Sequence, residues 1–251
     1  RDFAGRLKSQ QIDVIHGLAC NAGVSKRSVD ERSAQGYELT FAINHLGHFL
    51  LTQLLLNSFD PSGRILVVSS NVHNPEKGGG PLRPPRYAKA EWLAYPERDQ
   101  NLAADASVAG SEAYANSKLC NVLMTYELDR RLRQISPENG IAVNAFAPGL
   151  MAGTGLGREG RGLTRWMWYV GLPFMSRLIS TARTPQISGE ALAWLMTSDE
   201  LNGVSGKYFF GKVHQASSKQ SYSESLAREL WASSVELVKL KPDETIFTAQ
   251  P

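Results

Sequence analysis

The sequence predicts an α/β fold built on a doubly wound parallel sheet. Short apolar runs typical of buried strands alternate with longer segments of helical periodicity, and this alternation favours strands joined by helical crossovers. The candidate strands are 12–19, 64–69, 140–147 and 206–210, and the candidate helices are 34–57, 112–134, 185–197 and 221–240. Because 251 residues with 42% hydrophobic content can bury one sizeable core, we expect a single domain over residues 1–251.

The composition excludes several classes of function. The net charge is only +3 and the 27 basic residues are scattered, so we expect no nucleic-acid partner. No uninterrupted apolar run reaches about 18 residues, so we expect no transmembrane segment. Cys20 and Cys120 lie far apart within apolar runs, which favours reduced thiols and a cytoplasmic location. His45 and His48 are helical neighbours without a third ligand nearby, so no metal site is expected.

Two stretches interrupt the regular pattern. Residues 71–111 form an insertion that begins with a segment rich in glycine and proline. Residues 150–180 mix glycines with large apolar side chains, among them Trp166 and Trp168, and predict a hinged lid over a bulky apolar substrate. Packing against the core or against another subunit is the alternative interpretation of this second stretch.

Tyr114 and Lys118 form the first candidate site. Residues four apart on a helix lie on one face, so an ammonium is placed beside a phenol. A neighbouring cation lowers the pKa of a phenol from about 10 toward neutrality, where it can exchange a proton during catalysis. An ordinary exposed helix pair is the alternative at this spacing.

Polar and small residues follow the candidate strands, where parallel α/β sheets assemble their sites. The hydroxyl of Ser70 can donate to a substrate carbonyl, or it can merely cap its strand. Pro148 and Gly149, followed by Thr154, end a later strand on the same side of the sheet.

A turn of small residues follows the first candidate strand. Such residues would let a ribose or a flat ring approach the backbone closely. The residues are Asn21, Ala22 and Gly23.

Taken in order, five motifs resemble the short-chain dehydrogenase/reductase family, and the resemblance covers residues 2–240. The details of residues 41–49, the long insertion and residues 117–121 look most like the branch that contains retinol dehydrogenases and light-dependent protochlorophyllide reductases. The five motifs are Asn21-Ala22-Gly23, Asn44-His45-Leu46-Gly47, Val68-Ser69-Ser70, Tyr114 to Lys118, and Pro148-Gly149.

The resemblance implies a role for each matching residue. Tyr114 would be the acid/base, and Lys118 would modulate its pKa and bind the ribose. Ser70 would orient the substrate carbonyl, and Asn44 would hold a water that links Lys118 to solvent. The residues implied to bind the cofactor are Asn21, Ala22, Gly23, Tyr114, Lys118, Pro148, Gly149 and Thr154.

The activity that the resemblance implies is hydride transfer between a nicotinamide cofactor and a carbonyl or alcohol. The cofactor would be NADP or NAD, with NADP favoured. The protein would supply orientation and the proton. A retinoid, a steroid or another lipid-like molecule would fit the apolar lid.

Two departures from the family pattern qualify this expectation. The protochlorophyllide reductases carry a Cys directly after the Pro-Gly pair, where this chain has Leu150, and this weakens a photoenzyme interpretation. The glycine-rich dinucleotide loop of the family lies well before the Asn-Ala-Gly motif, whereas 20 residues precede Asn21 here. On the order of 60 residues of a Rossmann-like sheet, with its N-terminal strands, are therefore expected to be missing.

The departures leave two alternatives open. Residues 155–160 match the pattern G-x-G-x-x-G, but they do not directly follow a strand and are a poor substitute for the missing loop. A truncated, non-catalytic relative that acts through an interaction surface remains an alternative function. Without a helix N-terminus for the pyrophosphate we expect weak cofactor binding. The free edge of the first strand would favour poor solubility or a homo-oligomer.

Overall fold

The structure is a computed structural model that describes residues 1–77, 83–87, 89–135, 140–151 and 183–247. Its helices are α1 (Asp2–Ser9), α2 (Leu39–Ser58), α3 (Ala90–Ala94), α4 (Ala106–Ile135), α5 (Pro185–Thr197) and α6 (Glu224–Leu237). Its strands are β1 (Ile15–Cys20), β2 (Phe59–Val68), β3 (Ala142–Ala147), β4 (Lys207–Phe210) and β5 (Val213–His214).

The strands form one sheet whose spatial order follows the sequence, β1-β2-β3-β4-β5. The first four strands pair in parallel, and β5 adds an antiparallel strand beside β4. Cys20 at the end of β1 lies opposite Val67, and Val68 at the end of β2 lies opposite Phe146. The carboxyl ends of β1, β2 and β3 therefore meet at one end of the sheet.

Alternate side chains of β2 enter different cores, as the two-residue period of a strand requires. Val67 packs with Leu128 of α4 on one face, and Leu66 packs with Leu195 of α5 on the other. Helices thus cover both faces of the sheet. The predicted doubly wound α/β fold is confirmed, except that the antiparallel β5 was not expected.

The boundaries of several elements differ from the prediction. β1 begins three residues later than expected, and β2 begins five residues earlier because Phe59 pairs with Ile15 across a bulge. α4 begins six residues earlier, where the side chain of Asp105 accepts from the amides of Ser107 and Val108 as a helix cap. The helix α3 and the first turn of α4 therefore lie within the predicted insertion.

The helix α2 carries a π-helical turn at Ala42–Leu46. Such turns are rare and occur frequently at functional sites. By length and composition alone α2 could cross a membrane, yet 61% of its most apolar window is buried inside the protein. A core helix of a globular protein passes the same test.

Candidate active site

Tyr114 and Lys118 lie side by side on α4 at the carboxyl end of the sheet. Their side chains are 5% and 4% exposed, and the Lys118 ammonium nitrogen is 5.6 Å from the centroid of the Tyr114 ring. The four-residue spacing therefore brings the two groups together as predicted. The alternative of an exposed helix pair is wrong, because both side chains are buried.

Lys118 is held at the end of β2. Its Nζ donates to the carbonyl of Val68 at 3.2 Å, and Asn121 Nδ2 donates to the same oxygen at 2.9 Å. Burial lowers the pKa of Lys118 to about 8. An ammonium has three N–H donors, and Val68 is the one acceptor that the described residues supply. The remaining donors can bind hydroxyl groups of a ligand.

The pKa of Tyr114 corrects one expectation. Burial raises the pKa of this phenol to about 12, and a hydrogen bond with the side chain of Ser70 only partly opposes that effect. Lys118 is not among the groups that lower this pKa, and the loss of hydration in the buried site sets the direction of the shift. Tyr114 is therefore protonated at neutral pH and suited to donate a proton.

The two serines after β2 have different partners. The side chain of Ser69 is buried, and its Oγ donates to the backbone carbonyl of Lys118 at 2.7 Å, so it supports α4. Ser70 is half-buried and its hydroxyl lowers the pKa of the neighbouring Tyr114, while its Oγ accepts a long bond of 3.5 Å from the amide of Val72. The structure thus places Ser70, the predicted serine, beside the phenol.

Asn44 lies in the π-helical turn and joins two parts of the site. Its amide accepts from the backbone nitrogen of Val24 at 2.8 Å and donates to the carbonyl of Val24 at 2.9 Å. It also donates to Ser117 Oγ at 3.0 Å, and Ser117 in turn donates to the carbonyl of Tyr114. The amide is occupied in these bonds, and the backbone carbonyl of Asn44 accepts from His48 Nδ1 at 2.9 Å. The predicted water remains a prediction.

The turn of small residues after β1 opens onto Lys118. Asn21, Ala22 and Gly23 are exposed. A Cβ atom built on Gly23 would lie 3.4 Å from Asn44 Oδ1 and 3.5 Å from Lys118 Nζ, so a side chain there would crowd the ammonium. The available donors of Lys118 and this exposed, narrow backbone fit the ribose end of a nicotinamide nucleotide.

The turn after β3 lies across β2 from the turn after β1. Gly149 has a φ of +93°, a conformation that favours glycine, and the carbonyl of Pro148 accepts from Ser188 Oγ of α5 at 2.8 Å. Thr154, the predicted lid including Trp166 and Trp168, and the glycine pattern of residues 155–160 lie outside the described residues. Their predicted roles therefore stay predictions.

The sequence reasoning missed four residues that support the site. Three of them follow a predicted residue by one helical turn, so helical spacing could have identified them. His73 had no such signal: its Nδ1 donates to the carbonyl of Ser70 at 2.6 Å. The missed residues are Ser117, Asn121, His48 and His73.

Comparisons with known proteins identify relatives of the chain. The chain is 35% identical to human retinol dehydrogenase 13 over 247 residues, which is 96% of the chain and 65% of the relative. It is 33% identical to the chloroplastic protochlorophyllide reductase of Daucus carota over 250 residues, 94% of the chain and 60% of the relative. The chain thus spans less than two thirds of the length of these curated relatives.

The fold also matches a solved structure. A short chain dehydrogenase from Salmonella enterica serovar Typhi superposes with a TM-score of 0.54 at 20% identity, covering 84% of this chain and 68% of that one. No family model matches the sequence. From the two curated relatives and the fold, the chain belongs to the short-chain dehydrogenase/reductase family, in the branch of the retinol dehydrogenases and protochlorophyllide reductases.

Proposed function

We propose that this protein is an NAD(P)-dependent oxidoreductase that acts on a bulky apolar carbonyl or alcohol. The observation that carries the proposal is the buried pair of Tyr114 and Lys118, with Ser70 beside the phenol, at the carboxyl end of a parallel sheet. Ligands of open α/β sheets bind at that end. The similarity to a retinol dehydrogenase supports the apolar substrate.

In the direction of reduction, a bound nicotinamide would supply a hydride to the carbonyl carbon. Ser70 would donate a hydrogen bond to the carbonyl oxygen and hold it against the phenol. Tyr114 would give its hydroxyl proton to that oxygen. Lys118 would bind a ribose hydroxyl with one of its available donors and return a proton to the phenolate.

The high pKa of Tyr114 fits the role of proton donor. A phenol that ionises near pH 12 keeps its proton until negative charge develops on the substrate oxygen. The neighbouring Lys118, with a pKa of about 8, can be charged or neutral near physiological pH. Because the pKa of Lys118 is lower than that of Tyr114, the Lys118 ammonium can return a proton to the Tyr114 phenolate.

We propose NADP as the preferred cofactor and a reducing compartment as the location. Cys20 and Cys120 are buried and unpaired, which is consistent with a cytoplasmic protein. For the substrate, the large apolar side chains of residues 150–180 support a retinoid or another lipid-like aldehyde or ketone.

The test uses the full-length protein with NADPH or NADH and a panel of long and short aldehydes. Loss of absorbance at the nicotinamide band would report turnover, and a long apolar aldehyde is expected to have the lower KM. The absence of turnover with every aldehyde and ketone and both cofactors, despite cofactor binding, would instead support the non-catalytic alternative. Light-dependent reduction of protochlorophyllide would contradict the expectation drawn from Leu150.

A further inference from the structure

His48 is a buried side chain near Lys118 that the mechanism above does not use. It is 5% exposed and lies on α2 one turn after Asn44. Its Nδ1 donates to the backbone carbonyl of Asn44 at 2.9 Å. With that proton on Nδ1, the neutral ring presents Nε2 as a hydrogen-bond acceptor.

The Nε2 atom of His48 is buried and has no hydrogen-bond partner among the described residues. A buried acceptor left unsatisfied costs about 1–3 kcal/mol, and ordered waters commonly satisfy such groups. Burial first, and the charge of Lys118 second, lower the pKa of His48 to about 4. His48 is therefore neutral at physiological pH, and Lys118 lies close enough to influence it.

Lys118 offers the complementary groups. Its Nζ uses one donor on the carbonyl of Val68, and within the described residues its other two N–H groups have no acceptor. Hydrogen bonds connect the two residues: Asn44, whose carbonyl binds the His48 ring, also donates to Ser117 Oγ at 3.0 Å, next to Lys118 in the chain. The unmatched donor and the unmatched acceptor therefore both lie where α2 and α4 meet. A single water can satisfy both, because it can accept from Lys118 and donate to His48.

We propose that His48 Nε2 holds a water that also accepts from Lys118 Nζ, which makes His48 a positioning residue for the proton supply of the Tyr114–Lys118 pair. The inference rests on the proposed function. In this arrangement Asn44 orients His48, because the carbonyl of Asn44 accepts from the ring nitrogen Nδ1.

The proton balance of a reduction is then complete. The O–H bond of Tyr114 breaks as a new O–H bond forms on the substrate oxygen. Lys118 transfers one ammonium proton to the phenolate. The water gives a proton to the Lys118 amine and regains one from solvent. His48 exchanges no proton, since its ring remains neutral and only accepts a hydrogen bond.

Two substitutions of His48 test the roles of its two ring nitrogens separately. His48→Asn places an amide nitrogen near the Nδ1 position and can keep the bond to Asn44, but it removes the Nε2 acceptor. His48→Gln places a polar group near the Nε2 position. The matched control is His45→Asn on the same helix. His45 is 0% exposed, its Nε2 bonds with Ser234 Oγ at 2.9 Å, and its nitrogen without a partner among the described residues is Nδ1. Lys118 is not among the groups that shift the pKa of His45.

In the full-length protein, His48→Asn should lower kcat about tenfold or more, a fraction of the range for general acid–base catalysis. Its solvent isotope effect on kcat should rise, while the Kd of the cofactor should change less than about threefold, or roughly 0.7 kcal/mol. His48→Gln should recover most of the activity. His45→Asn should lower Tm without changing the pH profile of kcat.

A crystal structure of the unliganded protein gives a readout that does not depend on turnover. We expect an ordered water within about 3.2 Å of both His48 Nε2 and Lys118 Nζ. A direct bond from another residue to Nε2, or equal kcat for His48→Asn and the unmodified protein, would overturn the inference. If the unmodified protein shows no turnover, the proposed function fails, and the water in the crystal structure still decides the role of His48.

Discussion

The central strands of the sheet and its first strand differ sharply in how they are covered. β3 is buried at all six of its residues and pairs with a neighbour on each side. β1 has the same length, but only Cys20 is buried, and within the described residues it pairs with β2 alone. Two strands of one parallel sheet thus lie in very different environments.

This difference separates two halves of the candidate site. Tyr114 and Lys118, which we propose to move the proton, are fixed by covered elements, β2 and α4, and are themselves buried. The groups placed toward the cofactor, Asn21 to Gly23, follow the exposed strand β1 and are exposed as well. We infer that substitutions on the covered side affect kcat, and that those along β1 have smaller effects on catalysis and stability.

The strongest test on the covered side is Tyr114→Phe in the full-length protein. The change removes a proton and little volume, so kcat should fall about 10²–10⁴-fold while cofactor binding is nearly unchanged. Steady-state kinetics and a fluorescence titration with NADPH measure both effects. Tyr126→Phe, which removes the hydroxyl bonded to Ser217 on the same helix, serves as the control. A fall of less than about fivefold for Tyr114→Phe would exclude it as the proton donor.

The two serines after β2 provide a second test. Ser70→Ala removes a donor to the substrate oxygen and should lower kcat about 10²-fold. Ser69→Ala removes the bond to the carbonyl of Lys118 and should reduce the free energy of unfolding by about 1 kcal/mol with a smaller kinetic effect. Kinetics and urea unfolding of both variants separate the roles. Equal kinetic losses would show that the neighbouring hydroxyls share one function.

The titration of Lys118 predicts a pH-dependent stability. Its pKa is about 8 in the folded protein against 10.5 for the free side chain, so the unfolded chain binds more protons between these values. The free energy of unfolding should therefore rise with pH in this window, by about 3 kcal/mol at most. Urea unfolding from pH 7 to 10 measures the rise, and Lys118→Met should lack it. Parallel curves for the two proteins would contradict the burial of an ionisable Lys118.

The smallest expected effect is the difference in unfolding free energy between two leucine variants, one on β2 and one on β1. Leu66 of β2 is 2% exposed, whereas Leu18 of β1 is half-buried. Leu66→Ala should lower the free energy of unfolding by about 2–5 kcal/mol, and Leu18→Ala by less than about half as much, since less buried contact is lost. Urea unfolding compares them. A similar loss at both positions would show that β1 is covered in solution.

Much of the architecture could be predicted from the sequence because it depends on local patterns. The helix at Pro185–Thr197 has the predicted bounds, since Thr184 caps it and a proline occupies its first turn. Two sequence features predicted which residues form the centre of the site. They are the spacing of Tyr114 and Lys118 and the serine at the end of β2.

The remaining features depend on three-dimensional contacts that no local pattern contains. The different roles of Ser69 and Ser70 follow from which hydroxyl reaches the backbone of α4. The raised pKa of Tyr114 reflects burial, and the spacing to Lys118 carries no information on hydration. The unsatisfied nitrogen of His48 likewise becomes visible only when all neighbours of the ring are known.

The contacts of His73 join the segment around Ser218 to the proposed substrate-binding serine. The ring accepts from the amide of Ser218 at 3.2 Å and donates to the carbonyl of Ser70, so it bridges that segment and the serine that would face the carbonyl. Both bonds require the neutral ring with its proton on Nδ1. Substitutions around Ser218 would therefore shift Ser70 through His73, without replacing any residue proposed to meet the substrate.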